Sequence, residues 1–245
     1  MKLLVINPNI TESVTQLIGA EARRAASPGT DLTLLTAPFG VAYIETRFEA
    51  MIGAYAVAQL AGEHLPGHDA IIVAAFGDPG AAALREAVDV PVVGMTEAAL
   101  ASASLLGGRF SIIAISRRIA AWYREMVAHY GAMDRLASLR FLDTPLRDIA
   151  GVQEDHERRL KDLCEAAVKE DGADVLILAG APLAGLARRI AGQIPVPVVD
   201  GVSSAVKHAE TLVSLQPGAA RGGSYAPPPA KLHQGLPEGI RRLLK

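Results

Sequence analysis

The sequence predicts an α/β fold made of two pseudo-symmetric three-layer αβα halves, each on a mainly parallel sheet, with a cleft between them. Three observations carry that expectation. Short apolar runs alternate with helix-length segments over the first 214 residues, the pattern of right-handed βαβ units. Two of those runs end abruptly in turns rich in glycine and proline, at Ala70-Ile-Ile-Val-Ala-Ala-Phe-Gly-Asp-Pro-Gly80 and Asp174-Val-Leu-Ile-Leu-Ala-Gly-Ala-Pro-Leu-Ala-Gly185. The two turns lie about 105 residues apart, and the elements around them repeat in the same order. In open α/β sheets the loops at the carboxyl ends of strands are where ligands bind.

The bulk composition narrows the function. The chain has 245 residues, 50% of them hydrophobic and 20% charged, so a large core is available. A net charge of −2 and the lack of a basic stripe exclude a nucleic-acid partner. No apolar run has the length of a bilayer span. The N-terminal stretch Met1-Lys-Leu-Leu-Val-Ile6 has no small-residue cleavage site and reads as a first strand rather than a signal peptide. A single cysteine, Cys164, excludes an intramolecular disulfide. A soluble, cytoplasmic α/β protein with no membrane partner is expected.

The elements follow in order. Residues 3–6 form a continuous apolar strand, as in sheets covered on both faces. Asn7-Pro8-Asn9 turns the chain into a helix over 12–26, with Thr11 placed as its N-cap. A strand at 32–36 leads to a loop over 37–47 that carries Phe39, Tyr43 and Glu45. A helix at 48–61, a strand at 70–75, a helix at 81–87 and a strand at 90–94 follow, and Thr96-Glu97 opens another helix. The pattern restarts with a strand at 110–115, a turn at Ser116-Arg117-Arg118, and a helix at 119–130 containing Trp122 and Tyr123. A strand at 139–142, a loop at 143–151, an amphipathic helix at 154–170, a strand at 175–178, a helix at 183–191, a strand at 196–199 and a helix at 202–214 complete it.

Overlaying Leu3-Leu-Val-Ile-Asn7 on Ser111-Ile-Ile-Ala-Ile-Ser116, and Val90-Pro-Val-Val-Gly94 on Val196-Pro-Val-Val-Asp200, reveals an internal duplication. It sets Asn7 against Ser116, Ala75 against Gly180 and Gly94 against Asp200. The halves are expected at 1–100 together with about 202–215, and at 101–201. Residues 216–245 hold Gly222-Gly223 and Pro227-Pro228-Pro229, with a short helical pattern at 238–244. Such a tail is an extended arm, either solvated or packed onto the body or a neighbouring subunit.

Asn7-Pro8-Asn9, Phe76-Gly77-Asp78-Pro79-Gly80, Pro91-Val92-Val93-Gly94 with Glu97, and Val199-Asp200-Gly201 together resemble the aspartate/glutamate/hydantoin racemase superfamily, nearest its hydantoin and allantoin racemase branch. The resemblance covers roughly residues 1–214. It implies a site between two similar halves, no metal or organic cofactor, a small amide or carboxylate substrate, and assembly as a homo-oligomer. It also implies two catalytic cysteines, one after each equivalent strand, which exchange protons on opposite faces of the substrate. The matching positions are Ala75 and Gly180, so both thiols are missing and the two-thiol mechanism is impossible. Decarboxylating relatives keep one cysteine, and this chain lacks even that. Cys164 sits with Leu160, Leu163, Ala167 and Val168 on the apolar stripe of its helix and reads as core.

The remaining candidates for chemistry are Asp78, Thr96, Glu97 and Tyr43, and for each of the first three the bland alternative is helix capping. Asn7, Asn9, Phe39, Ala75, Phe76, Gly77, Ser116, Gly180, Ala181 and Pro182 are candidates for lining the substrate site. Arg117 and Arg118 either anchor a carboxylate or are simply solvated. The histidines show no metal-ligand spacing. The residues leave open isomerisation, decarboxylation, hydrolysis by a water in the vacated space, or a silent metabolite binder; a scaffold that assembles through its tail is the third class.

Overall fold

The computed structural model describes residues 1–142, 149 and 151–244; the loop expected at 143–151 lies outside them except for 149 and 151. The first sheet contains β1 (Lys2–Asn7), β2 (Asp31–Thr36), β3 (Ala70–Val73) and β4 (Val92–Gly94) in the order β2-β1-β3-β4. The second contains β5 (Phe110–Ala114), β6 (Leu136–Phe141), β7 (Val175–Leu178) and β8 (Val198–Asp200) in the matching order β6-β5-β7-β8. Every pairing is parallel. The central strands are apolar without interruption because helices cover both faces, and Leu3, Leu4, Ile6, Ile71, Ile112 and Ile113 are completely buried.

Strand register sharpens the internal symmetry and corrects one equivalence. Val73 lies opposite Ile6 and Gly94, and Leu178 lies opposite Ile113 and Asp200. Ile6 therefore corresponds to Ile113, which pairs Asn7 with Ala114 and Asn9 with Ser116, rather than Asn7 with Ser116. The side chains behave accordingly. Asn9 Oδ1 accepts the Thr11 N–H at 2.9 Å, and Ser116 Oγ accepts the Arg118 N–H at 3.3 Å, each two residues downstream.

The helices are α1 (Glu12–Ala25), α2 (Arg47–His64), α3 (Ala81–Ala87), α4 (Met95–Leu106), α5 (Ala120–His129), α6 (Val152–Lys169), α7 (Leu186–Ile190), α8 (Gly201–Leu215) and α9 (Glu238–Leu243). Among the described residues, no helix is long and apolar enough to cross a membrane. The helices α4 and α8 join the halves. The first packs on β7 and β8 besides its own β4, and the second packs on β3 and β4 besides its own β8. They cross where a Cβ on Gly201 would come within 2.6 Å of the Met95 side chain, and Ser102 Oγ meets His208 Nε2 at 3.2 Å. Glu210 ties α8 to the turn after α1 by accepting from Ser27 N and Thr30 Oγ1, both at 2.7 Å.

Two local expectations are corrected, and one left open is resolved. The helix expected over 183–191 is a 3-10 turn at Ala181–Leu183 followed by the short α7, because Pro182 cannot donate to a helical ladder and Gly185 is left-handed at φ 82°. Thr11 occupies the N-cap position of α1, but its hydroxyl donates to the Ala42 carbonyl at 2.7 Å and caps nothing. Of the alternatives left for the tail, its end packs onto the body. Its last helix, α9, packs on α2 where the backbones of Gly62 and Gly239 touch, and Leu243 joins Val57, Leu60 and Ala61 in one apolar cluster. Cys164 is core, as its stripe predicts, and burial pushes its thiol up to about 12.

A Cβ on Gly62 would sit 1.8 Å from the Gly239 carbonyl oxygen, so any side chain there must displace α9. Gly62→Val is expected to lower stability by about 1–3 kcal/mol, the usual range for overpacking, and to speed trypsin cleavage after Arg241 and Arg242 in α9. Cleavage there no faster than in the unaltered protein would contradict the docking.

Candidate active site

The site is built from the turn after β3. Gly77 is left-handed at φ 103°, and Asp78 follows at φ 48°, one of two non-glycine residues with positive φ among the described residues. Aspartate tolerates this region better than most side chains. The conformation sends the Asp78 carboxylate beneath the end of β4 rather than onto α3. Its Oδ1 accepts the Thr96 N–H at 2.7 Å, and its Oδ2 accepts the Glu97 N–H at 3.0 Å and the Tyr130 hydroxyl at 2.8 Å. In return Thr96 Oγ1 accepts the Gly77 N–H at 2.5 Å. Asp78 therefore does cap a helix, but α4 and not the adjacent α3, whose N-cap Gly80 offers no side chain. A carboxylate suits this place, since free first-turn amides and the helix dipole favour negative charge. Gly94 is required above it, because a Cβ there would lie 2.3 Å from Asp78 Cγ.

The second half builds the same bridge with the carboxylate on the other side. Leu183 occupies the position of Asp78 when Gly80 is set on Gly185, and Asp200 occupies the position of Gly94. Asp200 Oδ2 reaches back to the Gly185 N–H at 2.7 Å, and its Oδ1 caps α8 through the Ser203 N–H at 2.9 Å. Both bridges bind a strand-end turn to the start of the following strand's helix. Burial raises the pKa of both carboxyls; for Asp78 it outweighs the bonds from Thr96, Glu97 and Tyr130 and pushes the group up to about 6.

Aromatic side chains close the space between the two turns. Trp122 lies over Gly77, where a Cβ would fall 2.2 Å from its ring. Tyr123 packs on Phe76 with ring centroids 4.7 Å apart, and its hydroxyl lies 4.0 Å from where a Cβ on Gly180 would stand. Tyr43 comes from the loop between β2 and α2 and packs against the cluster of Ile113, Ile115 and Leu183 in the other half. Its hydroxyl is buried and has no hydrogen-bond partner among the described residues. Burial, then the Glu45 and Glu49 carboxylates, push Tyr43 far above the ordinary tyrosine value. Burial also raises Tyr123, with Tyr43 and Asp78 as its next contributors, so the two phenols and the carboxylate share one field. At the rim, Arg47 pairs with Glu125 and ties the start of α2 to α5.

The structure thus brings Tyr43, Ala75, Phe76, Gly77, Asp78, Thr96 and Gly180 around one region. The Gly180 turn is pinned by Gln153, whose Nε2 donates to the carbonyls of Pro182 at 2.8 Å and Ala184 at 2.9 Å, and Ala181 and Pro182 are buried. Other expected residues are engaged elsewhere. Asn7 serves its own turn: Nδ2 donates to Asn9 Oδ1 and Thr15 Oγ1, and Oδ1 accepts from Asn9 N. Glu97 lends its amide to Asp78 while its carboxylate pairs with Arg85. Phe39 is partly exposed against Tyr55, and Arg117 lies over the Phe141 ring at 5.7 Å. Tyr123, Tyr130, Trp122 and Gln153 escaped the sequence reading. The adjacent aromatics of α5 were visible, but their facing turn is a tertiary fact. Among the described residues no cluster of three His, Cys, Asp or Glu side chains is arranged to hold a metal ion.

Comparison with known proteins agrees with this architecture. A family model described as Asp/Glu/Hydantoin racemase matches residues 3–209. A hydantoin racemase of Paenarthrobacter aurescens is 35% identical over 238 residues, which cover 94% of this chain and 99% of that protein. An allantoin racemase from Klebsiella pneumoniae superposes with a TM-score of 0.93 at 34% identity, covering 98% of each chain. Glutamate racemase RacE1 from Bacillus anthracis, at 16% identity and a TM-score of 0.64 over 88% of this chain and 82% of that one, shares the fold.

The buried Asp78 yields a signed prediction. Its carboxyl holds a proton more firmly in the folded chain, at about 6, than at its ordinary value of 3.8. The folded state therefore carries the extra proton between those values, and stability falls as pH rises from about 4 to about 6, by roughly 3 kcal/mol at 1.36 kcal/mol per pKa unit. Asp78→Asn is expected to flatten that slope in urea titrations run across the window. A slope unchanged in the variant would contradict the assignment.

Proposed function

We propose that this chain, which belongs to the Asp/Glu/hydantoin racemase family, is an enzyme that removes a carboxylate from the α-carbon of a small hydantoin-like, amino-acid-like or dicarboxylate compound and protonates that carbon from one side without thiols. The single observation that carries the reading is the unpartnered, buried hydroxyl of Tyr43 in the same field as Tyr123, whose hydroxyl stands near the place a side chain on Gly180 would occupy. A buried hydroxyl with no partner costs about 1–3 kcal/mol, a cost that a substrate oxygen relieves. The names of the hydantoin and allantoin racemase relatives support a cyclic ureide or a compound of similar size.

Racemisation requires a proton-exchanging group on each face of the carbon. The Ala75 methyl exchanges none, and the Tyr123 phenol, held protonated by burial, is a donor and a poor base. One-sided donation suits a reaction in which the α-carbon acquires its electron pair from a broken C–C bond. The bond to the departing carboxylate breaks, carbon dioxide leaves, and the pair is held as an enolate whose oxygen accepts from Tyr43. The Tyr123 O–H bond then breaks as its proton forms the new C–H bond, and water reprotonates the phenolate. Asp78 and Thr96 are positioning residues in this reading, since their polar atoms are committed to the turn and α4. Self-association belongs to the same proposal, supported by the exposed Phe48, Met51 and Tyr55 on one face of α2.

Substituted malonates and hydantoin-5-carboxylates are the substrates to test, with carbon dioxide release as the readout. Tyr123→Phe is expected to lower kcat by about 10²–10⁴-fold, the usual worth of a positioned proton donor, with little change in KM. Tyr43→Phe is expected to raise KM more than it lowers kcat. Thermal stabilisation by these compounds with no turnover would replace the enzyme reading with that of a metabolite binder.

A further inference from the structure

Near β4, the outer strand of the first sheet, residues 217–220 help line a cavity of ≈ 430 Å³, and a second cavity of ≈ 350 Å³ adjoins it along Asp89, Val90, Pro91 and Leu212. Sites for small molecules span roughly 300–1,000 Å³. The walls of the larger cavity are mostly apolar, supplied by Val88, Val90, Pro91, Val93, Ala98 and Leu212. Its polar lining is the ion pair of Arg85 and Glu97 together with His208, Thr211 and Asp89, of which His208 is bonded to Ser102 and Asp89 to Arg221. Arg85 Nε and Nη2 hold the Val92 carbonyl at 3.0 and 2.9 Å, and Nη2 also binds Glu97 Oε2. Arg85 Nη1 and Glu97 Oε1 are left 3.5 Å apart, the weakest contact of the pair. From the tail, Tyr225 lies close enough to Arg85 to help hold its guanidinium charged, after Glu97.

That arrangement selects a ligand class. A donor and an acceptor stand side by side on a half-exposed pair whose charges cancel, which offers no net charge to an ionic ligand and matches a ligand carrying an acceptor next to a donor. A cyclic amide offers a C=O to Nη1 and an N–H to Oε1 without disturbing the rest. We propose that this cavity is a second small-molecule site, separate from the cleft, that takes a flat, uncharged ring compound carrying a cyclic amide edge. Binding there needs neither Tyr43 nor Tyr123. Glu97 belongs to both regions, with its carboxylate at the cavity and its amide on Asp78.

The test is calorimetric titration of the full chain with quinolin-2-one, oxindole and uracil. Saturable binding of at least one of them is expected, with N-methylquinolin-2-one about tenfold weaker because it lacks the donor to Glu97. Ala101 lines the cavity from an exposed position, so Ala101→Trp is expected to fill the space and abolish binding while circular dichroism and Tm show the chain folded. Tyr123→Phe is expected to bind as the unaltered protein does. No saturable binding by any of the three compounds, undiminished binding to folded Ala101→Trp, or equal binding of the N-methyl compound would overturn the proposal.

Discussion

The Asp78 carboxylate, held by the first-turn amides of α4 beneath Gly94, is the interaction on which the site depends. It fixes a turn that would otherwise be strained, since Asp78 itself sits in the left-handed region, and it joins that turn to the helix that crosses into the other half. With the turn fixed, Gly77 accepts the Trp122 ring and Phe76 accepts Tyr123. The second half solves the same problem with the acid moved from the turn to the strand end, as Asp200 reaching Gly185. What the duplication preserved is thus the bridge between turn and helix, not the residue that makes it.

Ala75 and Gly180 serve their turns through the backbone alone, accepting from the amides of Asp78 and Leu183, so chemistry beside them depends on what surrounds them. Gly180, at φ 108°, opens space toward the Tyr123 hydroxyl. Tyr43 is contributed by a loop of the opposite half, so the pair of phenols exists only when the halves are together. The Arg47–Glu125 ion pair spans the same gap at the surface, between two exposed side chains whose pairing is weak in water.

The strands, their order of occurrence and the duplicated plan were readable because strands buried on both faces must be continuously apolar, which Leu3 to Ile6 and Val175 to Leu178 are. The location of the turns was readable for the same reason: glycine and proline end those runs. The direction of the Asp78 side chain was not, because both α3 and α4 present free amides near it, and only the left-handed φ chooses between them. The pairing of Asn9 with Ser116 needed strand register, which a sequence overlay shifted by two residues. Tyr123 and Tyr43 were visible as residues, but their meeting joins positions far apart in the chain. The docking of α9 rests on two glycines, Gly62 and Gly239, whose importance lies in side chains they lack.

The proposed reaction protonates the α-carbon from a single face, beside Gly180. Turnover in deuterium oxide of a prochiral malonate with two different α-substituents tests this directly, with the product analysed by chiral chromatography and mass spectrometry. The account predicts one deuterium at the α-carbon, in one configuration, and no loss of configuration when the purified product is returned to the enzyme. A racemic product, or exchange and inversion of the returned product at a rate comparable to turnover, would require a proton donor on the Ala75 face and would contradict it.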